Sequence, residues 1–392
     1  MQDSDEVETL KVVVQKQAEQ IELLKEQCSG LKRKLEEAQS REALQEKKQA
    51  EDLSKLQKQC DGLREELLQA KAAAYKAEGD LLVIQQQLEE EKLKNAPFCI
   101  DCFKGSSEQM MFYTGLPEYD TFVAVAELAD PGSNSQGRKR KLDRENELFL
   151  VLVRLRLGLF EQDLADRFAI SQPTVSRMCC EWVNLIYAKV IKMPIWPSRE
   201  AVNDTVPASF TEKCKKTRVI LDATEIRCAV PSSLALQSST YSQYKSANTF
   251  KGLIGIMPSG QLSFVSELYT GCMSDRECVI QSGFLDLSFD EGDVVMADKG
   301  FKIADLLEEK GVSLNIPPFL QNGKLSEQEV RETQEIASLR IHVERRIQRI
   351  KAFHIFDRPV PLTLAPVVTQ IWTVVAVLTN LQSDLIANPG VV

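Results

Sequence analysis

The chain has 392 residues, which is enough for two or three domains with a sizeable core, and its composition excludes a disordered or collagen-like protein. The net charge of −9 conceals a basic block, because residues 138–199 hold 12 basic and 7 acidic side chains. Such a block is where we expect nucleic acid to bind. The acidic N-terminus does not resemble a signal peptide, so the ten cysteines are expected to be reduced thiols inside the cell.

Residues 1–95 carry apolar residues in heptads, which predict a coiled coil. The heptads that begin at Val7 and those that begin at Leu53 differ in register by four residues, a stutter placed between Glu42 and Asp52. We predict that this coiled coil joins two chains into a homodimer. A long solvated helix is the alternative.

Residues 96–137 are predicted to be a short connector followed by a linker. Cys99 and Cys102 form a C-x-x-C motif with no second pair at zinc-finger spacing, so the pattern leaves open a zinc site or a plain pair of thiols. The basic cluster Arg138 to Lys141 is a weak candidate for a nuclear-import signal or a phosphate contact, and we expect a nuclear protein.

Residues 138–202 are predicted to form a helix-turn-helix. E-Q-D-L-A-D-R-F is followed by a short turn and by Q-P-T-V-S-R-M-C-C-E-W-V, with Ser171 as the N-cap and Pro173 in the first turn. A second helix of this kind enters the major groove of DNA, whereas the alternative is a structural hairpin. The candidate DNA-binding residues on it are Gln172, Thr174, Ser176 and Arg177.

Residues 203–392 are predicted to fold as an α/β domain. The pattern gives three strands, a helix, a strand, a helix, a strand and a final helix, an order that predicts a ribonuclease-H-like mixed sheet flanked by helices. The uncharged stretch from Val360 to Ser383 contains two prolines and is interpreted as a buried helix rather than a membrane span, so no membrane partner is expected.

Three acids of this domain stand in settings that suggest a metal site. Asp222 lies within a buried apolar strand, where an unpaired carboxylate costs on the order of several kcal/mol. Asp298 ends the strand D-V-V-M-A-D, and Glu344 lies on the last helix. Because the chain has only two histidines, carboxylates holding Mg²⁺ or Mn²⁺ are favoured over a zinc centre.

The last helix has an apolar stripe of Ile336, Leu339, Val343, Ile347 and Ile350. Glu344 falls at the edge of this stripe and faces the sheet, although a surface salt bridge is its alternative role. Arg345, Arg346 and Arg349 are predicted to lie on the outer side, where they would contact phosphates.

From about Phe112 onward the chain resembles the DDE superfamily endonucleases of the PIF/Harbinger-like transposases. The motifs that carry the resemblance include D-L-A-D-R-F-x-I-S-Q-x-T-V-S-R, L-D-A-T-E-I, Y-K-S-x-N-T-F-K-G, S-D-R-E, A-D-K-G-F and L-R-I-H-V-E-R. The resemblance implies that Asp222, Asp298 and Glu344 are the catalytic acids and that Asp275 is a further metal ligand. Lys245 and Lys251 are candidates for contacts to the DNA backbone.

Together these features predict a nuclease that cleaves phosphodiester bonds with two divalent metal ions. One alternative is a catalytically silent DNA-binding scaffold that is oligomerised by the coiled coil. Another is a coiled-coil adaptor without a role at DNA. The intact acids favour the nuclease.

Overall fold

A computed structural model of the chain describes residues 2–41, 48–94, 98–130, 141–207, 210, 214–318 and 327–386. The chain divides into two compact units, residues 1–96 and residues 97–392. The basic residues 138–140 lie outside the described residues, as does the centre of the predicted stutter. Lys141 is exposed.

The first unit is a pair of long helices, α1 (Gln2–Arg41) and α2 (Lys48–Lys94), which pack on each other. The Sγ atoms of Cys28 and Cys60 lie 3.9 Å apart between them. Six residues connect the helices and reach roughly 25 Å at most, whereas a parallel pair would require a return of about 60 Å, so the helices run antiparallel. The shielded positions fall on the predicted heptads. They are Val7, Val14, Gln17, Ile21, Leu24, Cys28 and Leu31 on α1, and Leu56, Cys60, Leu63, Leu67, Ala70, Ala74, Ala77, Leu81, Ile84 and Leu88 on α2.

The second unit begins with helices. They are α3 (Ser107–Thr114), α4 (Tyr119–Leu128), α5 (Arg144–Leu157), α6 (Glu161–Arg167), α7 (Gln172–Val190) and α8 (Arg199–Thr205). The turn between α6 and α7 holds Ala169 at φ 51°, and Ser171 is the N-cap of α7. Trp182 of α7 donates to Glu147 of α5 at 3.1 Å, which fixes the angle between these helices. The predicted helix-turn-helix is therefore present.

The strands of this unit form one mixed sheet. They are β1 (Thr217–Arg227), β2 (Tyr241–Ser242), β3 (Ala247–Ile256), β4 (Leu262–Val265), β5 (Tyr269–Thr270), β6 (Val294–Met296) and β7 (Ser313–Asn315). Strand β3 pairs antiparallel with β1, β2, β4 and β5, while β6 pairs parallel with β1 and β7. The main path through the described sheet is β2-β3-β1-β6-β7.

The remaining helices flank this sheet. They are α9 (Leu234–Thr240), α10 (Asp275–Gln281), α11 (Ala304–Glu308), α12 (Glu327–Lys351) and α13 (Val368–Leu378). Ser274 caps α10 by accepting from the amide of Glu277 at 3.1 Å, as its place before an acidic first turn predicts. The predicted mixed sheet with flanking helices is confirmed.

The alternating side chains of β1 face two hydrophobic cores. Ile220 belongs to a core shared with α5, α7, α12 and α13, whereas Val219 and Leu221 face α10 and α11. The first core is continuous from the helix-turn-helix to the sheet. Helix α7 therefore packs directly on α13, and its position relative to the sheet is fixed.

Residues Leu362–Leu381 are long and apolar enough to cross a membrane, and half of that window is buried in the structure. Trp372 is fully buried, and its indole N–H donates to the Ser266 carbonyl at 3.1 Å. Because of this hydrogen bond and its packing against α7, α13 is a helix of the protein core.

Candidate active site

The register of the sheet brings Asp222 and Asp298 together. Ile220 of β1 lies opposite Met296 of β6 in the parallel pair, and each acid follows two residues later. Residues at equal offsets on adjacent parallel strands share a face of the sheet. Asp222, in the middle of β1, and Asp298, two residues beyond the end of β6, therefore stand side by side on one face of the sheet.

Glu344 lies in the same cleft as these two acids. Helix α12 packs across β1 and β3 through its buried stripe, and Glu344 lies at the edge of that stripe as predicted. The cleft has a volume of about 550 Å³. Its charged lining consists of Asp222, Glu225, Asp275, Asp298, Glu344, Lys245, Lys251 and Arg340.

Burial dominates the electrostatics of Asp222, whose side chain is 19% exposed. The pKa of Asp222 is raised to about 6, mainly by burial and to a smaller extent by the neighbouring charges of Glu344 and Asp298. Arg340 and the amide of Ala223, which donates at 2.9 Å, act in the opposite direction. Glu344 and Asp298 both contribute to raising this pKa, so each lies close enough to Asp222 to repel its negative charge.

Arg340 lies between two of the acids. Its guanidinium is 3.2 Å from Asp298 Oδ1 and 4.0 Å from Asp222 Oδ1. Arg340 precedes Glu344 by four residues, so both side chains lie on one face of α12. A cation therefore already partly neutralises the acids in this structure.

Asp275 and Glu225 form a second acidic group that is joined by Lys251. The Lys251 ammonium lies 3.1 Å from Asp275 and 3.8 Å from Glu225, and it donates to the Met273 carbonyl at 2.8 Å. Glu225 also accepts from the Thr249 hydroxyl at 2.8 Å. Lys251 is thus a buried partner of carboxylates inside the cleft.

Lys245 lies at the rim of the cleft. Its ammonium is 4.4 Å from the centre of the Tyr244 ring, which is 83% exposed. A second cleft of about 830 Å³ adjoins the first and is also lined by Tyr244. Lys245 is accessible to an extended polyanion, in contrast to Lys251.

The chemistry of this lining fits a divalent cation. Carboxylate oxygens are the donors that Mg²⁺ and Mn²⁺ prefer, and a dication would offset the burial and the neighbouring negative charges that raise the pKa of Asp222. Across the described residues, however, no group of three or more His, Cys, Asp or Glu side chains converges into a ready-made metal site. Binding of a metal by Asp222 and Asp298 therefore requires the guanidinium of Arg340 to move.

The predicted outer position of Arg346 is wrong. Its side chain is 2% exposed and donates to the carbonyls of Gly260 and Thr379, at 2.7 Å and 2.6 Å. Arg349 is half-buried and donates to the carbonyls of Ser383 and Asp384. Arg345 is exposed. Of the three arginines, Arg345 is the most exposed in the part of the chain that the structure describes.

The four predicted DNA-binding residues at the start of α7 differ in how accessible their side chains are. Arg177 is exposed and pairs with Glu181 at 3.8 Å. Thr174 shares a hydrogen bond of 2.8 Å with Ser171, and Gln172 donates to Glu161 of α6. Ser176 lines a small internal cleft between α5, α7 and α13. Arg177 is thus the most accessible of the four.

Sequence reasoning did not identify Glu225 and Arg340. The word L-D-A-T-E carries a second carboxylate three residues after Asp222, and Arg340 stands one helical turn before Glu344. Both signals are short-range, and either could have suggested these residues. Cys99 and Cys102, by contrast, have Sγ atoms 3.7 Å apart and belong to no larger metal-ligating group within the described part of the chain.

Comparison with family models identifies two segments. Residues 221–380 match the model described as DDE superfamily endonuclease. Residues 140–190 match the model described as the helix-turn-helix of DDE superfamily endonuclease. Comparisons with curated proteins and with solved structures gave no match. The first segment contains Asp222, Asp298 and Glu344, and the second contains α6 and α7.

Proposed function

We propose that this chain, with a DDE superfamily endonuclease domain and its helix-turn-helix, is a divalent-metal-dependent DNA endonuclease derived from a PIF/Harbinger-like transposase. The observation that carries the proposal is that Asp222 of β1, Asp298 just after β6 and Glu344 of α12 line one cleft. The ribonuclease-H-like order of strands and helices supports it.

Asp222, Asp298 and Glu344 would hold the metal, with Asp275 as a further ligand. When bound, Mg²⁺ or Mn²⁺ supplies positive charge for the attacking and leaving oxygens of a phosphodiester. No side-chain nucleophile is required, because water is the attacking group. Lys251 holds Asp275 and Glu225 in place through its ion pairs.

The charge of the cleft explains why DNA and metal are expected to bind together. Its lining has five carboxylates and three cations, so the bare cleft repels phosphate. Bound divalent cations would change the net charge of the cleft from negative to positive and so favour phosphate binding. Lys245 and Arg345 are exposed and are the candidates for contacts to the DNA backbone.

Glu344→Gln should reduce Mg²⁺-dependent nicking of supercoiled plasmid by at least about 100-fold, since it removes one charged ligand without changing side-chain volume. The matched control is Glu327→Gln, an exposed glutamate on the same helix that pairs with Arg331. Nicking by the control should equal that of the unmodified chain. Equal nicking by both variants, or nicking that survives a chelator, would contradict the proposal.

A catalytically silent scaffold is the second candidate function, and the contact of Arg340 with Asp222 and Asp298 favours it. In that case the old site is retained as folded structure while the helix-turn-helix binds DNA. The same nicking assay separates the two functions. A scaffold binds DNA at low salt but shows no cleavage above that of Asp222→Ala.

DNA as the partner and the nucleus as the location belong to this proposal. The helix-turn-helix match and the exposed Arg177 on α7 support DNA binding. The basic cluster that begins at Arg138 supports nuclear import.

We further propose that the N-terminal unit joins two chains into a homodimer. The heptad seam is filled within the chain by α1 and α2, so a second surface is needed. Leu68, Tyr75 and Leu82 supply one, because they recur every seven residues along α2 and are 68%, 75% and 59% exposed. An exposed apolar stripe with this spacing is typical of a helix–helix interface.

Replacing Leu68, Tyr75 and Leu82 with Gln together should convert the full chain from dimer to monomer in sedimentation equilibrium. The change removes apolar contact area while leaving the internal seam intact. Lys71→Gln with Glu78→Gln is the control, since both residues are exposed on α2 outside the stripe. A dimer that persists in the triple variant, or a monomeric unmodified chain, would rule out this surface.

A further inference from the structure

The contact between Arg340 and the acids of the cleft is made by a largely buried side chain. Arg340 is 12% exposed, and its guanidinium lies 3.2 Å from Asp298 and 4.0 Å from Asp222. The backbone places it there, because α12 packs across β1 through the residues that flank it, Leu339 and Val343. The side chain therefore stands within ion-pair distance of both Asp222 and Asp298.

The hydrogen bonding of Arg340 is incomplete. Its Nε atom is buried and has no hydrogen-bond partner among the described residues. Burying a guanidinium with one N–H donor unpaired is unfavourable relative to leaving it in water. The attraction of its charge to nearby carboxylates therefore holds it in place. The opposing charges are those of Asp222 and Asp298.

We propose that Arg340 is the internal counter-ion of this cleft, which a divalent cation must displace from Asp222 and Asp298 in order to bind. The proposal rests on the metal site of the proposed function and concerns a residue outside its ligand set. A dication between the same carboxylates would lie within a few ångströms of the guanidinium, where two positive charges repel strongly. Arginine and metal are thus alternative partners of the same oxygens.

Two consequences follow for the metal-free protein. Arg340 keeps the acids together by neutralising part of their charge, and it lowers metal affinity because its ion pairs must first be broken. Once displaced, the guanidinium stays one helical turn from Glu344, so its charge remains near the substrate phosphates.

The test is a Mn²⁺ titration of the full-length chain, with free Mn²⁺ measured by electron paramagnetic resonance. Arg340→Gln should bind Mn²⁺ about 10-fold more tightly than the unmodified chain, because the competing cation is gone. Its melting temperature in a chelator should fall, and the rise on adding Mn²⁺ should be larger than for the unmodified chain. Arg345→Gln is the matched control, since it removes an exposed charge from the neighbouring position of the same helix.

Arg340→Lys provides a second measurement that keeps the charge if the glutamine variant folds poorly. It should bind Mn²⁺ with an affinity closer to that of the unmodified chain than to that of Arg340→Gln. Weaker or unchanged Mn²⁺ binding in Arg340→Gln, alongside binding to the unmodified chain that Asp222→Asn abolishes, would overturn this inference and leave the nuclease proposal standing. Absence of any binding that depends on Asp222 in all these chains would overturn both.

Discussion

Asp222→Asn should reduce Mg²⁺-dependent nicking by at least about 1,000-fold and, in a chelator at pH 7, should make the protein more stable. The loss of activity follows from removing the ligand that lies between Asp298 and Glu344 in the cleft. The gain in stability follows from removing a buried charge whose pKa is raised to about 6. A carboxylate retained at the expense of stability is what a working site requires.

The sign of the pH dependence is fixed by this raised pKa. The folded protein holds the Asp222 proton up to about pH 6, whereas an unfolded aspartate releases it near 3.8. The free energy of unfolding therefore falls as pH rises through this window. Two pKa units correspond to on the order of 3 kcal/mol at pH 7, a penalty that the Asn variant avoids.

Urea unfolding of the two proteins at pH 4.5 and pH 7, with a chelator present, measures this effect. The stability gap should be small at the lower pH and large at the higher pH. Asp120→Asn is the control, since Asp120 is exposed on α4. An Asn variant that nicks DNA at the unmodified rate, or that is less stable at pH 7, would contradict the assignment of Asp222.

Arg346→Ala should lower the free energy of unfolding by about 3–5 kcal/mol. Arg346 is 2% exposed and joins the turn at Gly260 to the end of α13 at Thr379. Burial lowers the pKa of Arg346 to about 10, because the charged guanidinium has lost most of its hydration. Truncation leaves the carbonyls unpaired around a cavity.

Chemical denaturation of Arg346→Ala against Arg345→Ala checks this expectation. The two arginines are adjacent on α12, yet Arg345 is exposed, and its replacement should change stability by less than about 0.5 kcal/mol. Similar losses in both variants would show that Arg346 does not join these segments.

The error at Arg346 shows where sequence reasoning reached its limit. The regular spacing of the apolar residues on α12 predicts which side of the helix faces the sheet. Glu344 is therefore predicted at the edge of that side, and it lines the cleft beside Asp222. Arg346 was assigned to the outer face because nothing local indicates that residues near Thr379 return to cover it. Which segment covers the side of a helix that faces away from the sheet is decided by tertiary packing and is not visible in the local sequence.

The acids could be predicted because each interrupts a local pattern. Asp222 breaks a buried strand, and Asp298 ends one. Their adjacency, however, depends on the pairing of Ile220 with Met296, which no local pattern specifies. The position of Arg340 one turn before Glu344 is visible in the sequence, but its contact with Asp298 spans 42 residues and is not specified locally.

The helix-turn-helix gives a similar contrast. Its turn chemistry and capping predicted α6 and α7 well. The assignment of Ser176 to an exposed face could not account for α13, which lies nearly 200 residues later and packs against α7. Short elements follow from local residues, whereas the accessible face of each one depends on distant segments.

The most direct test of the central claim is to locate the metal in the chain. With Fe²⁺ substituted for Mg²⁺, ascorbate and peroxide generate radicals that cut the backbone next to the bound ion, and the fragments can be mapped by mass spectrometry. We expect cuts within a few residues of Asp222 and Asp298, and their loss in Asp222→Asn. Cuts confined to other regions, or an unchanged pattern in Asp222→Asn, would contradict a metal-binding cleft at these acids.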